Sequence, residues 1–125
     1  MALVRELDHF NLRTTRLAET SRFFQDVLGL EDRPDDRPPF GFPGAWLWVG
    51  DRPLVHLIEV DTDQGPPRGA LDHVAFATDD FDGLITRLTD RGIKHRTADQ
   101  PATGLRQVFF REPNGVQIEV TCPAG

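Results

Sequence analysis

Three histidines and one glutamate, His9, His56, His73 and Glu119, are the residues whose types and spacing could do chemistry in this sequence. His9 and His73 each close a Leu-Asp-His triplet, Leu7-Asp8-His9 and Leu71-Asp72-His73, set 64 residues apart. A repeat at that period in a chain of 125 residues says that one unit was built twice. Beyond the first helix of each unit the offset is 63, fixed by Gly29 and Gly92, and it carries His56 onto Glu119. Four metal-competent side chains thus fall on two repeat-related positions. Three imidazoles and a carboxylate suit a divalent ion, Zn²⁺, Ni²⁺, Mn²⁺ or Fe²⁺. With all four bound, an octahedral ion keeps two adjacent positions open for two oxygens of one substrate. Without His56, the remaining two histidines and Glu119 leave three, which also fits non-haem iron. A lone histidine on a strand is more often satisfied by a backbone carbonyl; the conjunction of four is what points to metal. His95, in Lys94-His95-Arg96, has no such partner and reads as a surface residue.

The elements that must position these residues repeat as well. The first strand is expected over 4–12, with His9 on the face of Leu7 and Asn11. Thr14 and Thr15 then offer caps to a helix in which Leu17, Phe24, Val27 and Leu28 recur at helical spacing and Gly29 terminates. The stretch 31–44 holds four prolines and two glycines, a stiff loop with a short strand at best. Its Phe40 and Phe42 either staple the loop to the core or form a substrate lid. Ala45–Gly50 is a strand with Trp46 and Trp48 on one face, Asp51-Arg52-Pro53 a turn, and Leu54–Val60 a strand carrying His56. In unit two, Leu71–Thr78 is a strand, Phe81, Leu84, Ile85 and Leu88 mark a helix, and two strands follow over 93–98 and 106–111. Asn114-Gly115 signals a type I′ hairpin, and 116–121 closes the unit with Glu119 beside Gln117 and Thr121. The fold class is therefore α+β, two βαβββ units in one domain: unit one over about 4–60, a linker over 61–69, unit two over about 70–122.

The composition narrows the function classes. A formal net charge of −6 without a Lys/Arg cluster speaks against nucleic acid or an anionic membrane as partner. The first residues lack a signal peptide's apolar core, no run reaches membrane-spanning length, and Cys122 is the one cysteine, so a cytoplasmic protein without disulfides is expected.

Leu7-Asp8-His9, the helix closing Phe23-Phe24-Gln25-Asp26-Val27-Leu28-Gly29-Leu30, Leu71-Asp72-His73-Val74-Ala75-Phe76 and the run from Phe110 to Glu119 together resemble the vicinal oxygen chelate superfamily. That group holds glyoxalase I, methylmalonyl-CoA epimerase, fosfomycin-resistance thiol transferases, extradiol dioxygenases and bleomycin-binding proteins. The resemblance spans essentially the whole chain and implies curled mixed sheets forming a cup around a metal. His9, His73 and Glu119 match its usual ligand positions. Position 56 is glutamate in glyoxalase I, glutamine in the epimerase and no ligand in the thiol transferases; histidine departs from all three. The resemblance also implies a homodimer, with ligands from the first unit of one copy meeting those from the second unit of the other.

The leading expectation is a metal-dependent, glyoxalase-like lyase or isomerase acting on a small molecule with neighbouring oxygens, the metal serving as Lewis acid and Glu119 as proton acceptor. Trp46 and Trp48 either line the cup or fill the sheet face. Gln117 would orient substrate or water, and Arg106 would grip a substrate anion or simply lie exposed. A metal-free drug-sequestering protein of the bleomycin-resistance type and an Fe(II)-dependent extradiol dioxygenase stand as alternatives.

Overall fold

A computed structural model describes residues 3, 5–63, 65, 70–101 and 103–123. Val4, where the first strand was expected to start, and linker residues 64 and 66–69 lie outside the described residues. The order is β1 (Phe10–Thr14), α1 (Leu17–Leu28), β2 (Glu31–Asp32), a short 3-10 turn (Pro34–Asp36), β3 (Gly44–Val49) and β4 (Arg52–Glu59). The second half follows as β5 (His73–Ala77), α2 (Phe81–Asp90), β6 (His95–Gln100), β7 (Leu105–Arg111) and β8 (Gln117–Pro123). The strands form two four-stranded sheets, β1-β4-β3-β2 and β5-β8-β7-β6. In each, the outer pair that follows the crossover helix is parallel (β1 with β4, β5 with β8) and the remaining pairs are antiparallel. This is the expected α+β architecture of two similar halves. No helix among the described residues is long and apolar enough to cross a membrane.

Alternation decides which sheet face is covered. On β3 and β4, Ala45, Leu47, Val55 and Leu57 are buried while Trp46, Trp48 and His56 are partly exposed; on β7 and β8, Val108, Phe110, Ile118 and Val120 are buried while Gln107, Phe109 and Glu119 are not. The covered faces take α1 through Phe24 and Val27 and α2 through Phe81, Leu84 and Leu88, in one continuous apolar cluster. Phe23 of α1 reaches Phe110 of β7, ring centroids 6.1 Å apart, so the halves share this core. The helices occupy the inner layer, and the faces carrying the candidate ligands are the open ones.

Three local expectations are corrected. His9 precedes β1 rather than lying within it: the parallel ladder starts at Phe10 opposite Val55, and Pro53 has no N–H to carry it further. Helix α1 has Arg16 at its N-cap without a side-chain cap, because the Thr14 hydroxyl, while accepting from the Arg16 N–H at 2.9 Å, donates to Asn114 Oδ1 at 2.6 Å. The Asn114-Gly115 turn is not type I′, since among the described residues no non-glycine has positive φ; Gly115 does, at 91°. Instead the Gly115 N–H reaches back to the Glu112 carbonyl at 2.8 Å, with Pro113 in the position that favours a tight turn. The Asn114 side chain is committed elsewhere, donating to Thr20 Oγ1 at 3.0 Å and to Glu112 Oε2 at 2.8 Å.

Candidate metal centre

Register bears out the two offsets. Asn11 lies opposite His56 and Ala75 opposite Glu119, so His9 and His73, each two residues earlier, sit on the faces that carry His56 and Glu119. A single chain gathers the four side chains as two pairs. The His9 and His56 rings are stacked, centroids 3.8 Å apart and planes within 11°. His73 Nε2 stands 3.5 Å from Glu119 Oε1. Among the described residues of one chain, no three His, Cys, Asp or Glu side chains converge on one point.

Each histidine is prepared in the same way. His9 Nδ1 is 2.6 Å from Asp8 Oδ2, and His73 Nδ1 is 2.9 Å from Asp72 Oδ2. A carboxylate only accepts, so these nitrogens carry the proton and a neutral ring turns its lone pair out at Nε2. The His9 hydrogen bond holds the Asp8 carboxyl below its ordinary value. His56 has a backbone hydrogen bond at Pro53, and its Nε2 is buried with no partner. A buried ring nitrogen without a partner costs on the order of 1–3 kcal/mol unless something binds it. An imidazole anchored by a carboxylate or carbonyl through one ring nitrogen is the form in which histidine binds metal through the other. Two ligands of one ion, each about 2.0–2.2 Å from it, lie about 3 Å or slightly more apart, near the His73–Glu119 spacing. The donor set fits a divalent ion.

The remaining predicted residues divide. Trp46 lies opposite His56 in register and stacks on its ring at 4.2 Å; Trp48 is 6.4 Å from Trp46 and carries the Arg33 guanidinium 4.8 Å above its ring. Gln117 lies on the Glu119 face, opposite His73. The structure does not bring Arg106 there. It belongs to the helix-facing register of β7, with its guanidinium 4.2 Å over Phe81 and 3.6 Å from Asp82. Lying on the strand beside Glu119 does not fix the face: β7 and β8 pair with Phe109 opposite Glu119 and Arg106 opposite Cys122, which puts Arg106 on the other side of the sheet. Phe40 and Phe42 enter no core. They stack on each other at 5.4 Å, and Phe40 lies 5.9 Å from Trp46, over the open face.

Two contributors were missed. Gln107 Nε2 donates to Glu119 Oε2 at 3.3 Å, leaving Oε1 toward His73. Phe109 lies opposite Glu119 as Trp46 lies opposite His56. The 63-residue offset that maps His56 onto Glu119 also maps Trp46 onto Phe109, so that signal was present in the sequence.

Desolvation first, then the His9 charge, lowers the His56 pKa below its ordinary 6.5, against the hydrogen bond at Pro53. Below pH 6.5 the unfolded chain protonates His56 and the folded chain does not. Stability contributed by the neutral ring is therefore lost as pH falls through that value, and the loss levels off at the folded pKa. In metal-free protein, Tm should fall from about pH 7.5 to about 5.5, and His56→Phe, which keeps a ring on Trp46, should flatten part of that fall in thermal scans.

A family model described as Glyoxalase/Bleomycin resistance protein/Dioxygenase superfamily matches residues 6–120. The chain is 26% identical to the uncharacterized protein YaeR of Escherichia coli K12, over 94% of this chain and 95% of that one. It is 30% identical to metapyrocatechase of Geobacillus stearothermophilus over 98% of this chain, which spans 38% of that protein. Among solved structures, a mutant of the fosfomycin resistance protein FosX from Listeria monocytogenes superposes with a TM-score of 0.75 at 18% identity, covering 98% of this chain and 95% of that one. That FosX structure is a complex with Mn(II) and 1S,2S-dihydroxypropylphosphonic acid.

Proposed function

The chain belongs to the Glyoxalase/Bleomycin resistance protein/Dioxygenase superfamily, the vicinal oxygen chelate proteins, and from that premise we propose a divalent-metal-dependent lyase or isomerase that works as a homodimer on a small molecule with neighbouring oxygens. The observation that carries the reading is the shared preparation of the histidines: three rings anchored on the Nδ1 side or by backbone, one with a buried unpartnered Nε2. Their separation into two pairs on open sheet faces supports a site completed between copies, His9 and His56 from one meeting a His73–Glu119 pair from the other. A closed homodimer makes two such sites by symmetry.

A bound divalent ion supplies a Lewis acid for an oxyanion developing on the substrate. Glu119 is the proton acceptor once it loosens from the ion: Gln107 holds Oε2 by hydrogen bond, and Oε1, the oxygen toward His73, would take the proton from carbon or water. Gln117 and Thr121, on the same face of β8, orient the substrate or water. Trp46 packs against His56 and keeps bulk water from that side.

The test is elemental analysis of protein purified without chelator, beside sedimentation for the oligomer. Zinc, nickel or manganese near one ion per chain in a dimer is the expected result. No metal, with tight stoichiometric ligand binding and no turnover, would replace this reading by the sequestering one. Iron with oxygen uptake would replace it by ring cleavage, a reading that the 30% identity to metapyrocatechase favours.

A further inference from the structure

Among the described residues three buried side-chain nitrogens lack a partner, Arg37 Nε, Trp48 Nε1 and His56 Nε2, and all three belong to the open face of the first sheet or the loop over it. His56 is explained by metal; Arg37 is not. Its setting is built rather than incidental. A Cβ on Gly44 would run into the Arg37 guanidinium and the Leu57 carbonyl, so glycine there lets the arginine lie flat on the sheet. Arg37 Nη2 donates to the Phe42 carbonyl at 3.2 Å. The guanidinium lies 5.1 Å from the Phe40 ring centroid and 5.3 Å from that of Phe42. No carboxylate among the described residues pairs with it, whereas Arg33 and Arg52, neighbours on the same unit, have Glu31 and Glu6. The contacts then run without a break from Arg37 to Phe40, Trp46, His56 and His9.

We propose that Arg37 is a specificity-determining residue of this site, binding a carboxylate on a substrate whose flat body lies along Phe40 and Trp46 and whose neighbouring oxygens reach the histidines. The inference rests on the proposed function for the position of those oxygens. A guanidinium held flat, with its Nε edge unpartnered, matches the two oxygens of a planar carboxylate in a bidentate pair. The rings nearest the guanidinium, Phe40 and Phe42, are 46% and 42% exposed, so side chains that can move stand between it and solvent. A neutral relative of the same substrate leaves the arginine unpaired and is discriminated against for that reason.

The probes are 3,4-dihydroxybenzoate and catechol, which share neighbouring oxygens and differ in a carboxylate, titrated calorimetrically into metal-loaded protein. Wild type should bind the acid about tenfold or more tightly than catechol, the scale of one charge-assisted pair. Arg37→Gln should abolish that preference with catechol affinity and metal content unchanged, at some cost in Tm from the lost Phe42 and Phe40 contacts, and Arg37→Lys should restore part of it. Equal affinities in wild type, or a loss in Arg37→Gln that falls equally on both probes, overturns the proposal. Benzoate titrated into chelator-stripped protein, followed by fluorescence of Trp46 and Trp48, separates this claim from the metal one. Quenching that depends on Arg37 supports the carboxylate subsite even where the metal reading fails, and quenching unaffected by Arg37→Gln overturns it even where the metal reading stands.

Discussion

Two variants that each hold no metal, His9→Ala/His56→Ala and His73→Ala/Glu119→Ala, should recover about a quarter of the wild-type metal when co-expressed, because half of random dimers are mixed and each mixed dimer regains one of two sites. The expectation follows from the proposed ligands lying in two pairs that the described residues of one chain do not bring together. Loss of a residue that merely orients a ligand costs about 10–100-fold in metal affinity, so removing two ligands should empty each homodimer at micromolar metal. In a mixed dimer, one site collects all four alanines and the other all four native side chains. Elemental analysis of doubly tagged, mixed dimer decides it. No recovery there, with both folds intact by circular dichroism, would mean that the ligands act within one chain or do not bind metal.

The second large effect is on stability. Asn114→Leu should cost about 2–4 kcal/mol, the scale of stranding one or two buried polar groups, read as a lower urea midpoint at unchanged slope. Asn114 accepts from Thr14, donates to Thr20 and Glu112, and its own N–H meets Glu112 Oε1 at 3.0 Å. Thr14, Thr20 and Glu112 are at most 2% exposed, so water cannot replace the lost amide. Glu112 also takes the Val116 N–H at 2.9 Å, and Arg16 reaches the Pro113 carbonyl at 2.9 Å. A turn of the second half is thereby fastened to the first strand and helix of the first. An Asn114→Asp variant sets a carboxylate oxygen against Glu112 Oε2, where the amide donates at 2.8 Å, and should be destabilised most at neutral pH, recovering as pH falls and one of the pair is protonated.

Much of this was legible from periodicity. Phe24, Val27 and Gly29 fix α1, and the buried face of β8 is marked by Ile118 and Val120 in strict alternation with Gln117, Glu119 and Thr121. The paired histidines and glutamate came from repeat arithmetic, which the strand register matches at Asn11–His56 and Ala75–Glu119. What sequence did not reveal depends on contacts between distant segments. The Asn114 side chain is drawn into a network 100 residues from Thr14, and no local turn preference encodes that. Arg106 was misplaced because strand proximity says nothing of face until the pairing partner is known. Phe40 and Phe42 sit in a proline-rich loop whose path is set by Arg37 lying over Gly44, a packing event invisible to periodicity.

The carboxylate that orients His9 is its chain neighbour Asp8, and the one that orients His73 is Asp72. Histidine and orienting carboxylate therefore travel as a dipeptide at the start of a strand, His9 just ahead of β1 and His73 the first residue of β5, outside the packed core. Doubling such a unit copies each histidine together with the carboxylate that orients it, with no supporting residue to be found again elsewhere. Positions 56 and 119 carry no such escort: one leans on backbone and the other on Gln107, a residue from a different strand. The halves differ at those two positions, imidazole in one and carboxylate in the other, while the Asp-His dipeptide is the same in both.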